Sequence, residues 1–303
     1  MSNLILLFLC LFLGIFFRKM NLFPKNSSDV LNAFVINISL PSLAIYFIPK
    51  IEMNASVIFP VLVAWIGIFS AFAFFFVLGK NLGWSKSVIG ALILCAGFGN
   101  TSFVGIPIIQ ALYGEHGIKT VMLVDQPGSF VALSTVGILF ANLYSGGKVS
   151  AKELMIKLFR FPPFIGFLIG LLLNIFSFEV SKDLEEVFNK LGATTVPLAL
   201  ISVGMQLRVP KLDHDTKYLI WGLLFKLMIY PLIIFVLYCI IFKQRGQEVE
   251  ISVLEAAMAP MITAGIIASA HKLEPKLCNM MIGVGIPLSF ITVGFWYLLL
   301  QIF

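Results

Sequence analysis

Of the 21 basic and 15 acidic residues in this 303-residue chain, only Asp125, Lys226 and Glu255 fall inside ten long stretches that are otherwise free of charge. These stretches cover 1–17, 30–49, 53–79, 87–114, 120–147, 161–178, 191–207, 218–242, 251–270 and 277–303. Each is close to the ~20 residues a helix needs to cross roughly 30 Å of hydrocarbon. With 59% hydrophobic residues and a mean hydropathy of +1.01, the chain is not a soluble enzyme but an integral membrane protein. A transmembrane barrel would alternate apolar and polar residues over about ten positions. These runs are continuously apolar, so the expected fold class is all-α, with ten transmembrane helices.

The remaining charges predict an orientation. The odd-numbered connections carry Arg18, Lys19, Lys25, Lys80, Lys86, Lys148, Lys152, Lys157, Arg160, Arg208, Lys211, Lys217, Lys272 and Lys276; the even ones carry only Lys50, Lys119, Lys182, Lys190, Lys243 and Arg245. Basic loops stay in the cytoplasm, so both termini are expected outside a multi-pass membrane protein. The net charge of +6 follows from that topology and does not suggest a nucleic-acid partner. Cys10, Cys95, Cys239 and Cys278 lie in or at the edge of apolar spans and read as small packing residues. No basic residue precedes the first apolar run, which is expected to be a retained helix and not a cleaved leader.

Ten helices divide into two sets of five, and an odd set makes the second half enter the membrane upside down. A 156-residue offset superposes Gly14 on Gly170, Pro41 on Pro197, Ile45 on Ile201 and Trp65 on Trp221. A 160-residue offset superposes Gly105-Ile106 on Gly265-Ile266, and Pro127, Ser129 and Phe130 on Pro287, Ser289 and Phe290. The expected division is therefore a first inverted repeat over 1–147 and a second over 148–303.

The fourth and ninth stretches are the least regular and occupy matching places in the two halves. The fourth contains Gly97, Gly99, Asn100, Thr101, Ser102, Gly105 and Pro107; the ninth contains Pro260, Thr263 and Gly265. Proline removes a helical donor and glycine is a poor helix former, so both spans are expected to break. Paired breaks in inverted halves point to a substrate site near the midplane, where each half-helix N-terminus suits an anion. The alternative is that the small residues only let helices pack closely.

Thr101 or Ser102 is expected to cap the half-helix that holds Pro107 in its first turn. Asp125, one turn into the fifth stretch, is a candidate for substrate, proton or ion handling. Glu255 is a second candidate, at the start of the ninth stretch and close to hydrating surface. Lys226 either has a functional role, or pairs with an acid, or snorkels. Asn37, Ser39 and Pro41 on the second stretch match Thr194, Thr195 and Pro197 on the seventh, and either line the cavity wall or satisfy a local kink.

No catalytic constellation is present: there is no His-Glu-x-x-His, nucleotide-binding glycine loop or intramembrane aspartate pair. His116, His214 and His271 fall in or beside loops.

Asn37-x-Ser39-Leu-Pro41-x-Leu43, Gly99-Asn100-Thr101-Ser102-Phe103-x-Gly105-x-Pro107, Tyr113-Gly114, Pro197 through Ser202-x-Gly204, and Leu254-Glu255-Ala-Ala-Met258-x-Pro260 together resemble the bacterial auxin efflux carrier family. That family is related to plant auxin exporters and to malate and malonate permeases, and the resemblance spans essentially the whole chain. It implies a bile acid sodium symporter-like fold, with a scaffold of helices one, two, six and seven beside a transport domain of helices three to five and eight to ten. Broken helices four and nine would cross in the transport domain. It further implies a secondary transporter of a small organic anion such as malate, malonate or an auxin-like acid, working by elevator-like alternating access, often as a homodimer. The only cofactor expected is a coupling proton or sodium ion. The alternatives are a sodium-coupled symporter of the bile acid type and a membrane ligand sensor that moves nothing. Two departures from the plant carriers stand out: there is no long central cytoplasmic loop, and Ile267 stands where a second proline of the ninth helix is expected.

Overall fold

A computed structural model describes residues 2–24, 26–147, 156, 158–207 and 216–303. Lys25, Lys148, Lys152, Lys157, Arg208, Lys211 and His214 lie outside them, as does the start of the second expected repeat. Among the described residues the chain is helical, without strands beyond one isolated bridge. Seven helical segments are long and apolar enough to cross a membrane: Ser2–Lys19, Ser27–Lys50, Ala55–Asn81, His116–Ser145, Lys182–Gln206, Thr216–Ile241 and Pro275–Ile302. The other three expected stretches are shorter helices. One is Pro162–Ile175; the remaining two are each split in the middle, as Lys86–Gly97 with Thr101–Tyr113, and Gln247–Ala256 with Ile262–Ala270.

Three prolines widen the helix ahead of them in the same way, whereas Pro287 lies inside the continuous helix Pro275–Ile302. A stretch of wider π-helix ends two residues before Pro41, Pro107 and Pro231, over Val35–Ser39, Thr101–Gly105 and Phe225–Ile229. A proline has no N–H to give to the carbonyl four residues back, and its ring clashes there. Widening the preceding turn removes the clash without ending the helix, which lipid would penalise. A further π stretch, Val124–Phe130, contains Pro127 itself.

Close backbone contact joins Ser2–Lys19 to Thr195–Gln206 and Pro162–Ile175 to Leu40–Phe47. A Cβ added to Gly14 would meet the Ile201 carbonyl, and one added to Gly170 would meet the Ala44 carbonyl. These glycines match under the 156-residue offset, and so, to within one residue, do the carbonyls they touch. Replacing either glycine with valine pushes a side chain into fixed backbone. The expected loss is at least about 1–3 kcal/mol, read as a lower thermal midpoint in detergent.

Between these helix pairs, the Ser39 hydroxyl bonds that of Thr194 at 2.7 Å, and Thr194 also donates to the Leu191 carbonyl. The two proline motifs therefore meet through their hydroxyls. Asn37 does not join them: it is exposed, and its amide donates to the Ala33 carbonyl of its own helix. Ser39→Ala is expected to cost about 1 kcal/mol of stability, measurable in the same melting assay.

Candidate functional site

The two helix breaks meet. Gly99 and Pro260 form an antiparallel bridge, flanked by hydrogen bonds from Asn100 N to Ala259 O at 2.8 Å and from Met261 N to Phe98 O at 3.2 Å. In this register the bridged pair itself exchanges no N–H bonds, so the missing donor of Pro260 leaves nothing unsatisfied. A side chain in place of Gly99 would crowd the strand-like crossing, since an added Cβ would lie 3.0 Å from the Glu255 carbonyl and 3.2 Å from Lys226 Nζ. Two opposed broken helices thus repair each other's backbone inside the protein, where lipid offers no partner.

Both second halves start at this crossing. Asn100 caps the first, its Oδ1 accepting from Phe103 N at 3.1 Å. Thr101 and Ser102, the expected caps, instead donate their hydroxyls to Asp125. Pro107 sits in the first turn of the α-helical part, Ile106–Tyr113, as expected. The second half, Ile262–Ala270, follows Met261 and has no side-chain cap. Its first turn carries Thr263, whose side chain is exposed. Gly265 is buried against Ile282 and serves packing.

The three intramembrane charges surround the crossing. Asp125 is 3% exposed, within the π stretch that carries Pro127, and accepts from Thr101, Ser102 and Gln126. Lys226 is fully buried and donates to the Ala256 carbonyl at 2.7 Å. An ammonium suits this end of Gln247–Ala256, where helix carbonyls run out of partners. Its other side lies 4.5 Å from the centre of the Tyr230 ring, a cation–π contact, and Tyr230 is held by its hydroxyl on the Val63 carbonyl. Lys226 does not snorkel, and it forms no ion pair with Asp125 or Glu255; ion pairs such as Lys50–Glu185 and Glu186–Lys190 lie elsewhere.

Glu255 corrects an expectation. The sequence places it at the start of its span and near water, but the helix begins at Gln247, so Glu255 lies at its inner end and is only 1% exposed. Neither carboxylate oxygen has a partner. The carboxylate rests on Gly105, where an added Cβ would lie 2.5 Å from both oxygens. Asp125 and Lys226 are both near enough to act on it electrostatically.

The crossing therefore gathers Asn100, Thr101, Ser102, Gly105, Pro260, Asp125, Lys226 and Glu255, with Thr263 one turn away on one half-helix and Pro107 further along the other. Ser39 stands on the neighbouring helices, of which Thr195–Gln206 packs on Thr101–Gly105. Several buried polar atoms here lack a partner: Asn100 Nδ2, Gln126 Oε1, Ser129 Oγ and Thr195 Oγ1. Buried polar groups are nearly always paired, so these atoms stand out among the described residues. Gln126 and Ser129 are not among the candidates read from the sequence. The available signal was an amide directly following an intramembrane aspartate and preceding a proline.

The profile that matches the sequence, over residues 1–297, is that of the membrane transport protein family. The chain is 25% identical over 307 residues to an uncharacterized transporter of Methanocaldococcus jannaschii, covering 98% of this chain and 97% of the relative. It is 26% identical over 294 residues to an uncharacterized transporter of Methanothermobacter thermautotrophicus, covering 95% and 94%.

Proposed function

Because the chain belongs to the membrane transport protein family, that of the auxin efflux carriers, we propose that it is a secondary carrier of a small organic anion, a carboxylate. The observation that carries this reading is the crossing itself. The uncapped N-terminus of Ile262–Ala270, with Thr263 in its first turn, and the free amide of Asn100 belong to the two breaks that meet there. N–H groups and aligned peptide dipoles hold a carboxylate without a cationic side chain. Thr101 and Ser102 are already committed to Asp125, so their part is to fix that carboxylate and not to touch substrate.

Ten membrane passes in two inverted repeats fit the ten helical stretches, the matched glycine contacts and the paired breaks. Ser2–Lys19, Ser27–Lys50, Pro162–Ile175 and Lys182–Gln206 pack together as a scaffold, and the remaining helices form the transport domain that moves against it. The orientation that goes with this reading has the basic loops in the cytoplasm and both termini outside the bacterial inner membrane. A homodimer through the scaffold is part of the same reading.

Asp125 and Glu255 take up the coupling ion. Asp125→Asn is expected to abolish gradient-driven accumulation while leaving exchange of labelled for unlabelled substrate largely intact. Loss of exchange and accumulation together would instead place Asp125 in the anion site. The two bare oxygens of Glu255 suit a sodium ion as well as a proton. Replacing sodium with potassium separates these, since only sodium coupling stops when sodium is withdrawn.

A further inference from the structure

A cavity of about 10 Å3, room for one water-sized particle, lies between helices of the proposed scaffold and helices of the proposed transport domain. Its polar lining is Gln110 and Glu115 from the transport domain and Asn189 and Thr195 from the scaffold, with Phe47 and Ile118 among the apolar walls.

Local structure explains why each polar group is left over. The helix Ile106–Tyr113 stops at Gly114, whose φ of 72° turns the chain toward His116–Leu123 in a conformation that glycine adopts without strain. Glu115 stands at the N-cap of that next helix but makes no side-chain cap hydrogen bond, so its carboxylate is free to turn elsewhere. The backbone carbonyl of Gln110 accepts from Asn3 Nδ2 at 3.1 Å and from Gly114 N at 3.0 Å, while its side-chain amide takes no partner among the described residues. Asn189, half-buried on Lys182–Ala193, likewise has none there. A helical threonine usually bonds the carbonyl one turn back, but for Thr195 that carbonyl, of Leu191, is already taken by the N–H and the hydroxyl of Thr194. The Thr195 hydroxyl is fully buried and unpaired.

The charge around the cavity selects the occupant. Glu115 is the one charged residue among those lining it. Two nearby cations are committed elsewhere: Lys119 Nζ donates to the Lys50 carbonyl at 2.8 Å, and Lys50 Nζ lies 3.5 Å from Glu185. An anion would meet a carboxylate here, whereas a cation meets oxygen from both bodies.

We infer that this cavity is a binding site for a hard cation, with calcium the best fit, held by Glu115, Gln110, Asn189 and Thr195. Two oxygens from Glu115 and one from each of the others make about five, and water on the exposed side of Glu115 completes the six to eight that calcium takes. With a single carboxylate the expected affinity is that of extracellular modules, a dissociation constant of roughly 0.1–1 mM. In the orientation proposed above the site faces outside, and calcium there ties the scaffold to the transport domain. The inference uses the packing of these helices and not the carrier reading, and it is tested without substrate.

Purified protein is melted in calcium chloride and in choline chloride of equal ionic strength. At about ten times the dissociation constant, calcium is expected to raise the melting midpoint by ~3 °C. Glu115→Gln should abolish the shift and Thr195→Val should reduce it. Asn189→Asp, which adds a second carboxylate, should lower the dissociation constant at least tenfold. Glu255→Gln should keep the shift, which separates this site from the crossing. No shift in the wild type, or one that survives Glu115→Gln, would overturn the inference and leave the cavity to water. A shift lost only in Glu255→Gln would place the cation at the crossing and overturn it as well. Should Glu115→Gln fail to fold, Asn189→Asp decides alone, and an unchanged affinity there would sink the proposal. Absence of flux for every acid tested, with the calcium shift intact, would defeat the carrier reading and leave this one standing.

Discussion

Replacing Asn100 with alanine is expected to reduce substrate flux by about a hundredfold while hardly changing the stability of the protein. The two effects separate because Asn100 makes one satisfied bond and leaves one group unsatisfied. Loss of the cap on Phe103 N costs about 1 kcal/mol. Removing a buried, unpaired amide donor returns about 1–3 kcal/mol of desolvation penalty, so the net change in folding is small. A bound carboxylate, however, loses a charge-assisted hydrogen bond of about 1.5–3 kcal/mol and the rigidity of the capped turn beside it. At 1.4 kcal/mol per factor of ten, about 3 kcal/mol gives the hundredfold loss. Asn100→Ser isolates the amide, because serine caps well but has no Nδ2. Serine should melt like the wild type and transport like alanine. A serine variant with full activity would confine Asn100 to capping.

The second large effect is expected at Lys226. Lys226→Met takes away the cation that acts on the buried carboxylate of Glu255 and leaves the Ala256 carbonyl without its donor. Removing one member of a buried charged cluster typically destabilises by about 3–5 kcal/mol, because the charge left behind is neither hydrated nor balanced. The variant should therefore be poorly folded, with a sharply lower melting temperature and early aggregation on size exclusion. Lys226→Met/Glu255→Gln removes one negative charge as well and should recover most of the stability, but not gradient-driven transport. A single Lys226→Met as stable as the wild type would show that the ammonium is not part of the electrostatic balance at the crossing.

Much of this arrangement is legible in the sequence because lipid allows few options. Charge-free runs long enough to cross hydrocarbon had to become helices, and runs interrupted by Gly97, Gly99, Asn100 and Pro107, or by Pro260, had to break. The matched positions of those breaks were visible from the repeat offset. Their exact pairing was not. Gly99 opposes Pro260 because an antiparallel crossing has its own register, and no local pattern announces which residues share a bridge.

The depth of Glu255 was hidden for a different reason. Its helix begins at Gln247, and Glu248 and Glu250 in that first turn look like loop charges in a hydropathy reading although they favour a helix N-terminus. The roles within the Asn100 to Ser102 run were likewise exchanged, since all three residues can cap. Only the approach of Asp125 decides that Asn100 does so while Thr101 and Ser102 donate to the carboxylate. Gln126 and Ser129 were missed because an amide and a hydroxyl in a membrane helix usually bond to their own backbone. That these two atoms remain unpaired is a tertiary fact.

The most direct test of the central claim is uptake of radiolabelled malate, malonate and indole-3-acetate into proteoliposomes, with imposed proton or sodium gradients, comparing the wild type with Asn100→Ser. The prediction is saturable uptake of at least one acid, driven by one of the two gradients and reduced about a hundredfold in the variant. Acid that binds the purified protein tightly but never crosses the membrane, under any gradient, would contradict it and make the crossing the site of a sensor.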